Sequence, residues 1–222
     1  MEEEVTFGTL DPRPAKKDPT KTLYIGSDES LKGDSFGGLT VAGVLADENL
    51  RERLTAFGVC DSKRISNTNI PLIAQRVREV VKYSAVYSIF PEEYNKFSQT
   101  GLMNRYHNQV ADDIIRKLKD DLGDISDLRI VHIVDKYPGA TVGDVIETKA
   151  ESQYPEVAAA SILAREVALE QFRVLSERAG FRLPLGSTHV QDALVRLKRE
   201  GLPPAKFVKL HFKNVQRVLQ GR

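Results

Sequence analysis

The stretch from Leu23 to Leu45 constrains the fold more than any other part of this chain of 222 residues. An apolar run ends on the adjacent acids Asp28 and Glu29, a turn containing lysine and glycine follows, and the apolar pattern resumes at Leu39. Apolar runs of this length, bounded by glycine and charged residues, are typical of buried strands. The stretch therefore predicts two strands joined by a tight turn, with two carboxylates at the end of the first strand.

The carboxylate pair alone leaves two interpretations open. Successive strand side chains point to opposite faces, so a regular strand presents only one of the two acids to a site unless it twists or bulges there. Neighbouring carboxylates also resist ionising together, and a divalent cation removes that cost. The simpler interpretation is an acidic turn in which Asp28 caps a local backbone group.

Composition excludes several classes of protein. The chain is 41% hydrophobic and 28% charged, as in ordinary soluble globular proteins. No apolar run approaches the ~20 residues that span a bilayer, so no membrane partner is expected. The acidic start, Met1–Glu4, lacks the blocks of a signal peptide, and the single cysteine, Cys60, excludes an internal disulfide. We therefore expect a cytoplasmic protein.

Charge and proline are unevenly distributed along the chain. The net charge is only +1, yet the segment from Arg196 to Arg222 carries eight basic residues and one acidic residue. That segment is either a surface that faces phosphates or a solvated basic helix. Prolines and alternating charges predict a flexible N-terminal arm over residues 1–21, and residues 22–222 are expected to form one folded domain.

Two further acids lie at informative positions. Asp135 ends an apolar run that begins at Leu128, and a carboxylate at the end of a buried strand suits a site better than it suits packing. Glu151 precedes a helix rich in small residues, and taken alone it is a surface acid. If the first and fourth strands are parallel neighbours, the four acids form an all-oxygen cluster suited to Mg²⁺ or Mn²⁺.

Taken together and in order, the motifs resemble the type 2 ribonuclease H family, and specifically its bacterial ribonuclease HIII branch. The resemblance extends from Thr22 to Val218. Each motif is weak alone, but the ordered set is specific. The matching segments are 28–37, 61–63, 94–95, 103–108, 134–135, 149–152, 157–165 and 205–214.

The resemblance implies an α/β protein with the ribonuclease H-like fold, in which a five-stranded mixed sheet is flanked by helices and C-terminal helices follow. It implies endonucleolytic cleavage of the RNA strand of an RNA–DNA hybrid by two Mg²⁺ or Mn²⁺ ions, leaving 3′-hydroxyl and 5′-phosphate ends. It implies a monomer without an organic cofactor. The residues that match the catalytic, metal-binding acids are Asp28, Glu29, Asp135 and Glu151.

Nucleic-acid contacts are expected from the turn after the acid pair, from a basic loop and from three later positions. Backbone groups of the turn face ribose 2′-hydroxyls in the family, which distinguishes RNA from DNA. Helix capping is the alternative role for the basic loop that contains Ser62 and Lys63, and for the side-chain amide of Asn104. The expected contacts are Ser30, Leu31, Lys32, Gly33, Ser62, Lys63, Asn104, Ser187 and Lys209.

The chain departs from the family pattern at several points. Leu31 stands where the family usually has glycine, and if the backbone needs a positive φ there, leucine costs about 1–2 kcal/mol and crowds the substrate. Replacing Leu31 by glycine is therefore expected to raise activity. Gly38 replaces a usual proline, which we expect to be a milder change.

Two further departures concern the substrate. The branch usually carries an N-terminal substrate-binding domain, which we expect to be absent here, with weaker hybrid binding as a result. Residues 186–190 contain no tyrosine, unlike the stretch with which the HII branch recognises a single embedded ribonucleotide. Cleavage within runs of ribonucleotides is therefore expected.

Three rival functions are less consistent with the sequence. A non-catalytic hybrid-binding relative would gain nothing from clustered carboxylates. A DNA-cutting nuclease of the same broad fold does not account for the turn and the ordered motifs. A nucleotide-binding α/β domain would need a phosphate-cradling glycine motif after a strand, and none is present.

Overall fold

A computed structural model of the chain describes residues 21–59 and 65–221. The arm predicted over residues 1–21 therefore lies outside the described residues except for Lys21, as do Cys60, Ser62 and Lys63. The described strands are β1 Lys21–Ser30, β2 Leu39–Ala46, β3 Ser84–Ile89, β4 Leu128–Asp135 and β5 Val145–Glu147. The described helices are α1 Glu48–Ala56, α2 Ile70–Val80, α3 Pro91–Tyr94, α4 Gln99–Leu122, α5 Pro155–Ala179, α6 Val190–Arg199 and α7 Lys213–Leu219.

The strands form one mixed sheet in the order β3-β2-β1-β4-β5. Strand β1 pairs antiparallel with β2 and parallel with β4, in a register that places Ser27 opposite Val134. The parallel pairing that the acid cluster required is therefore present, and the expected five-stranded mixed sheet is confirmed. The carboxyl ends of β1 and β4 lie side by side at one edge of the sheet.

One helix covers each face of the sheet because the sequence provides a close-packing surface on one side and an apolar stripe on the other. Helix α5 lies so near β1 that a Cβ added at Gly26 would be 2.3 Å from the backbone nitrogen of Val157. Its residues 158–160 are alanines and are fully buried. On the opposite face, Val110 and Ile114 of α4 pack against Gly43 of β2.

A second apolar cluster lies beyond the end of β1 and joins the turn to the C-terminal elements. Leu31 and Phe36 of the turn region pack with Phe172 of α5, Leu194 of α6 and Val215 of α7. The sequence pattern from Lys206 to Leu219 predicts a largely helical segment. This prediction is wrong for residues 207–212, which are not helical. A 3₁₀ turn at Pro204–Lys206 is followed by non-helical residues, among which Val208 bridges to Phe36, and α7 begins only at Lys213.

The fourth and fifth strands differ in how well the sequence predicts them. Strand β4 has the predicted bounds, whereas β5 was not found from the sequence pattern, because three partly exposed residues carry no usable periodicity. Among the described residues, no helix has the length and apolar character that crossing a membrane requires.

Candidate active site

Asp28 is held on the face of β1 that packs against α5. Its side chain is buried, a hydrogen bond joins it to Ser161 of α5, and its Oδ1 accepts the backbone N–H of Glu29 at 2.7 Å. Burial, followed by the charge of Glu29, raises the pKa of Asp28 well above its usual value, and the charge of Asp135 adds to this. The folded protein therefore disfavours the ionised form of Asp28.

Glu29 lies on the opposite face of β1, as strand alternation predicts. Its side chain is only 2% exposed, is paired with Lys32, and its Oε2 lies 3.3 Å from Nε2 of His107 on α4. Burial opposes ionisation, but the hydrogen bond from His107 and the charge of Lys32 outweigh it and lower the pKa of Glu29. Glu29 is therefore a carboxylate with two cationic or N–H partners already in place.

Asp135 and Glu151 meet at the end of β4. The Oδ1 atom of Asp135 accepts the backbone N–H of Ala150 at 2.8 Å, at the start of the 3₁₀ turn Ala150–Ser152 that carries Glu151. Burial raises the pKa of Asp135, and the charges of Glu151 and Glu29 raise it further. Lys149, two residues before Glu151, has a left-handed backbone with φ of 59°.

The four acids thus lie at one sheet edge and repel each other, which fits a divalent cation by donor type and by charge. Asp28 and Asp135 share the α5 side, while Glu29 is turned toward α4. As the side chains stand, residues 21–59 and 65–221 contain no group of three or more His, Cys, Asp or Glu that would hold a metal ion. For Glu29 to join the other acids as a ligand, its Oε1 must leave Lys32, while its Oε2 keeps the contact with Nε2 of His107.

The turn after β1 has a strained backbone, so the condition that the sequence analysis set for a cost at Leu31 is met. Leu31 has φ of 70°, a region that disfavours every residue with a Cβ, and the N–H of Asp34 bonds the Leu31 carbonyl at 3.1 Å. Its side chain is 6% exposed and packs in the cluster that contains Phe36 and Phe172. The expected crowding of substrate by Leu31 is therefore wrong, because the side chain points into the protein.

The structure explains why residue 38 is a glycine. A Cβ added there would lie 1.9 Å from the carbonyl oxygen of Ile89, and the N–H of Gly38 donates to Oε1 of Gln171 at 2.7 Å. Proline would supply a clashing ring and would remove that donor. The change from the family's proline is therefore larger than the sequence suggested.

Lys209 was predicted to contact nucleic acid, and the structure places it elsewhere. The residue is fully buried, and its ammonium donates to the carbonyl of Leu31 at 2.7 Å and to that of Asp34 at 2.5 Å. The rings of Tyr94 and Phe212 lie 5.4 and 5.3 Å from its Nζ. Burial lowers its pKa to about 7. Lys209 thus holds the turn and has no surface on which to meet a phosphate.

The other predicted contacts differ in their surroundings. Asn104 is engaged with the loop after β4, where its Oδ1 accepts from Tyr137 at 2.8 Å and from the N–H of Thr141 at 3.0 Å. Its Nδ2 donates to the Gly139 carbonyl at 3.0 Å, so the amide shapes this loop. Ser187 is exposed, as is Gly33, whereas Ser30 and Lys32 are half-buried.

Sequence reasoning missed three polar residues beneath the acids. Ser27, His107 and His132 form a buried hydrogen-bonded group that ends on Glu29. The four histidines lie far apart in the sequence and lack the spacing of zinc ligands, so the sequence pattern indicated no role for them. The usable signal was His132, a polar residue inside the continuous apolar run of β4.

The five-stranded mixed sheet with a helix on each face is the fold of the ribonuclease H-like class of proteins. A model of the ribonuclease HII family matches residues 25–215. Ribonuclease HIII of Limosilactobacillus fermentum is 33% identical over 208 residues, covering 88% of this chain and 69% of that protein. Ribonuclease HIII of Bacillus cereus is 33% identical over 214 residues, covering 88% of this chain and 68% of that protein. The crystal structure of Bst-RNase HIII in complex with Mn²⁺ superposes with a TM-score of 0.74 at 28% identity, covering 97% of this chain and 76% of that one.

The chain therefore belongs to the ribonuclease HII family, and its curated relatives are of the HIII type. It is a ribonuclease H enzyme, and the resemblance drawn from the ordered motifs is confirmed. The identities of the catalytic acids and of the nucleic-acid contacts stay predictions.

Proposed function

We propose that this protein cleaves the RNA strand of RNA–DNA hybrids endonucleolytically, with Asp28, Glu29, Asp135 and Glu151 as the metal-binding, catalytic acids. The observation that carries the proposal is that Asp28, Glu29 and Asp135 lie at the carboxyl ends of two parallel strands, with the 3₁₀ turn of Glu151 bonded to Asp135. Burial and mutual charge raise the pKa values of Asp28 and Asp135. Such a set is unfavourable without a cation and favourable with one.

Two divalent ions, Mg²⁺ or Mn²⁺, would activate water and stabilise the leaving oxygen when bound, which gives 3′-hydroxyl and 5′-phosphate ends. Support comes from the donor set and from the Mn²⁺ in the structure of Bst-RNase HIII. In this chain Asp28 and Asp135 supply carboxylates from the α5 side of the sheet. Glu29 supplies one from the α4 side, and Lys32 is its alternative partner before cation binding.

The turn from Ser30 to Gly33 is the proposed point of substrate discrimination. Gly33 is exposed and a Cβ added there would meet nothing within 4 Å, so its backbone is open to a ribose. The ammonium of Lys32 pairs with Glu29 and is placed to pair with a phosphate oxygen of the substrate in its stead. Ser62, Lys63 and Ser187 remain proposed contacts.

Cleavage of two labelled duplexes tests the proposal. One is a uniform RNA–DNA hybrid, the other a DNA duplex that contains one ribonucleotide, each incubated with Mg²⁺ or Mn²⁺. We expect the uniform hybrid to be cut and Asp135→Asn, which keeps shape and removes charge, to be inactive. Cutting only at the single ribonucleotide would contradict the proposed specificity. Binding without cutting in either metal would contradict catalysis.

A further inference from the structure

A buried row of polar side chains runs under the edge of the sheet that carries Asp28, Glu29, Asp135 and Glu151, which we call the acid edge. Oγ of Ser27 lies 2.7 Å from Nδ1 of His107 and 2.7 Å from Nε2 of His132. The other ring nitrogen of His107, Nε2, lies 3.3 Å from Oε2 of Glu29. The row therefore connects β4, β1 and α4 in the order His132, Ser27, His107, Glu29.

Burial makes these contacts obligatory. Ser27 and His107 are fully buried and His132 is almost so, and a polar side chain in such surroundings must have a hydrogen-bond partner. His107 is further fixed by Tyr137, whose ring stacks on the imidazole at 5.2 Å between centroids. Burial also lowers the pKa of His132 to about 4, so its ring is neutral at physiological pH.

The chemistry of each group limits which atoms of the row carry protons. The carboxylate of Glu29 only accepts, so His107 must carry a proton at Nε2. A serine hydroxyl has one hydrogen, so Ser27 donates to one imidazole and must accept from the other. The hydroxyl of Ser27 therefore joins the two imidazoles in one hydrogen-bonded row.

We propose that Ser27 and His132 are positioning residues that hold His107 with its Nε2–H directed at Glu29, and so fix the Glu29 carboxylate for catalysis. The inference rests on the proposed function of Glu29 as a catalytic acid. Because outer hydrogen-bond partners typically change affinity or activity by about 10–100-fold, we expect effects of that size at residues that contact no substrate.

A double-mutant cycle on hybrid cleavage tests the connection. Ser27→Ala and His132→Leu each lower kcat about tenfold with little change in KM, because the row is broken but the substrate surface is intact. The double variant is no slower than either single variant, because each single substitution already interrupts the same hydrogen-bonded row. Single losses that multiply in the double variant would overturn the proposal.

A matched variant separates positioning from packing. His132→Gln keeps an N–H that can reach Ser27, whereas His132→Leu has similar bulk without a donor. We expect Gln to retain most of the wild-type kcat and Leu to lose it, with both variants equally folded by circular dichroism. Equal kcat for the two folded variants would overturn the proposal, even if Ser27→Ala fails to fold.

A measurement without metal or substrate keeps this inference separate from the proposed function. Nitrogen-15 NMR of histidine-labelled protein reports which ring nitrogens carry protons. We expect His107 to carry a proton on Nε2, facing Glu29, and Ser27→Ala to disturb the His107 signals. A His107 ring without a proton on Nε2 would overturn the proposal, whereas an inactive wild type with the expected Nε2 proton would overturn the proposed function alone.

Discussion

The acid edge and the turn beside it are neighbours in sequence, yet the structure positions them by different means. Asp28, Glu29 and Asp135 are placed by the ends of two hydrogen-bonded strands, and the register of the sheet brings them together. The turn that begins at Leu31 is instead held from the other end of the chain, mainly by Lys209. The first arrangement depends on the sheet, and the second depends on the C-terminal segment being docked.

The C-terminal hold on the turn consists of several separate contacts. The N–H of Lys209 donates to the carbonyl of Ser35 at 2.9 Å, and Nδ2 of Asn214 donates to the hydroxyl of Ser35 at 2.9 Å. The N–H of Gly186 donates to Oδ1 of Asp34 at 2.6 Å. Mutations should therefore separate two functions: chemistry at the acids and substrate recognition at the turn.

The largest effect is expected at the acid edge. Asp28→Asn should lower hybrid cleavage by about 10³-fold or more, because several kcal/mol of transition-state stabilisation are removed and each 1.4 kcal/mol is tenfold. The same variant should be more stable at neutral pH. Since the folded pKa of Asp28 lies above its unfolded value, ionisation at neutral pH opposes folding, and asparagine removes that cost.

Urea unfolding at several pH values checks this second effect. The gain in stability should shrink as the pH falls toward about 4, where the unfolded aspartate also becomes protonated. Asp121→Asn is the matched control, because Asp121 is paired with Lys82 on the surface and its pKa is lowered. A variant at Asp28 that is less stable than wild type at neutral pH would show that the acids are not in mutual repulsion.

The next effect is expected at the C-terminal hold. Lys209→Met should raise KM for the hybrid several-fold with a smaller change in kcat, and should destabilise the fold by about 1–3 kcal/mol, because the carbonyl of Asp34 loses a buried donor. Lys206→Met, at an exposed lysine three residues earlier, is the control for loss of charge alone. A fall in kcat as large as that of Asp28→Asn would remove the distinction between the two regions.

Lys209 also predicts a pH dependence of stability. Its pKa of about 7 in the folded protein is below the ordinary value of about 10.4, so the unfolded chain binds the extra proton between these two values. The contribution of this group to stability should therefore rise with pH from about 7 to about 10 and be missing in Lys209→Met. Urea unfolding of both proteins at pH 7 and pH 9 measures the difference.

A matched pair of glycine substitutions sharpens the comparison further. Leu31 and Lys149 are the two non-glycine residues with positive φ among those described, and each lies two residues from a predicted catalytic acid. Glycine relieves about 1–2 kcal/mol of strain at either position. At exposed Lys149 this relief should raise stability, whereas at buried Leu31 the removed apolar packing, about 2–5 kcal/mol for leucine truncation, should exceed it.

Thermal unfolding of the two variants measures this difference. The outcome also bears on activity, because Leu31 lies inside the protein and its removal frees no space for substrate. A Leu31→Gly variant that is both more stable and more active would show that strain outweighs packing in this turn.

The sequence was sufficient for the parts of the site that depend on local pattern. Strand β4 ended at Asp135 as the apolar run predicted, and the alternation of β1 correctly placed Asp28 and Glu29 on opposite faces. The tight turn after Glu29 is also present, whereas the sequence left the positive φ at Leu31 as a condition that the structure meets. These features depend only on residues that are close together in the sequence.

The features that the sequence could not supply all depend on contacts between distant residues. Lys209 was read as a surface cation because basic residues surround it in the sequence, and only the fold shows that it is buried against a turn 178 residues away. Likewise, Ser27 and His107 are 80 residues apart. A charge run does not reveal which of its members points inward.

The smallest effect distinguishes individual lysines of the basic segment from Arg196 to Arg222. Lys206 and Lys213 are exposed, so changing both to glutamine should weaken hybrid binding and reduce the slope of log affinity against log salt. The expected reduction is about 0.9 for each phosphate that the protein no longer neutralises, or ~2 in total. Lys209→Gln should leave the slope unchanged, because its ammonium is committed to the carbonyls of Leu31 and Asp34. Binding isotherms at several salt concentrations with metal-free protein measure both slopes. An equal reduction by Lys209→Gln would mean that the buried lysine reaches the backbone of the hybrid, and that the turn and the phosphate surface are one region.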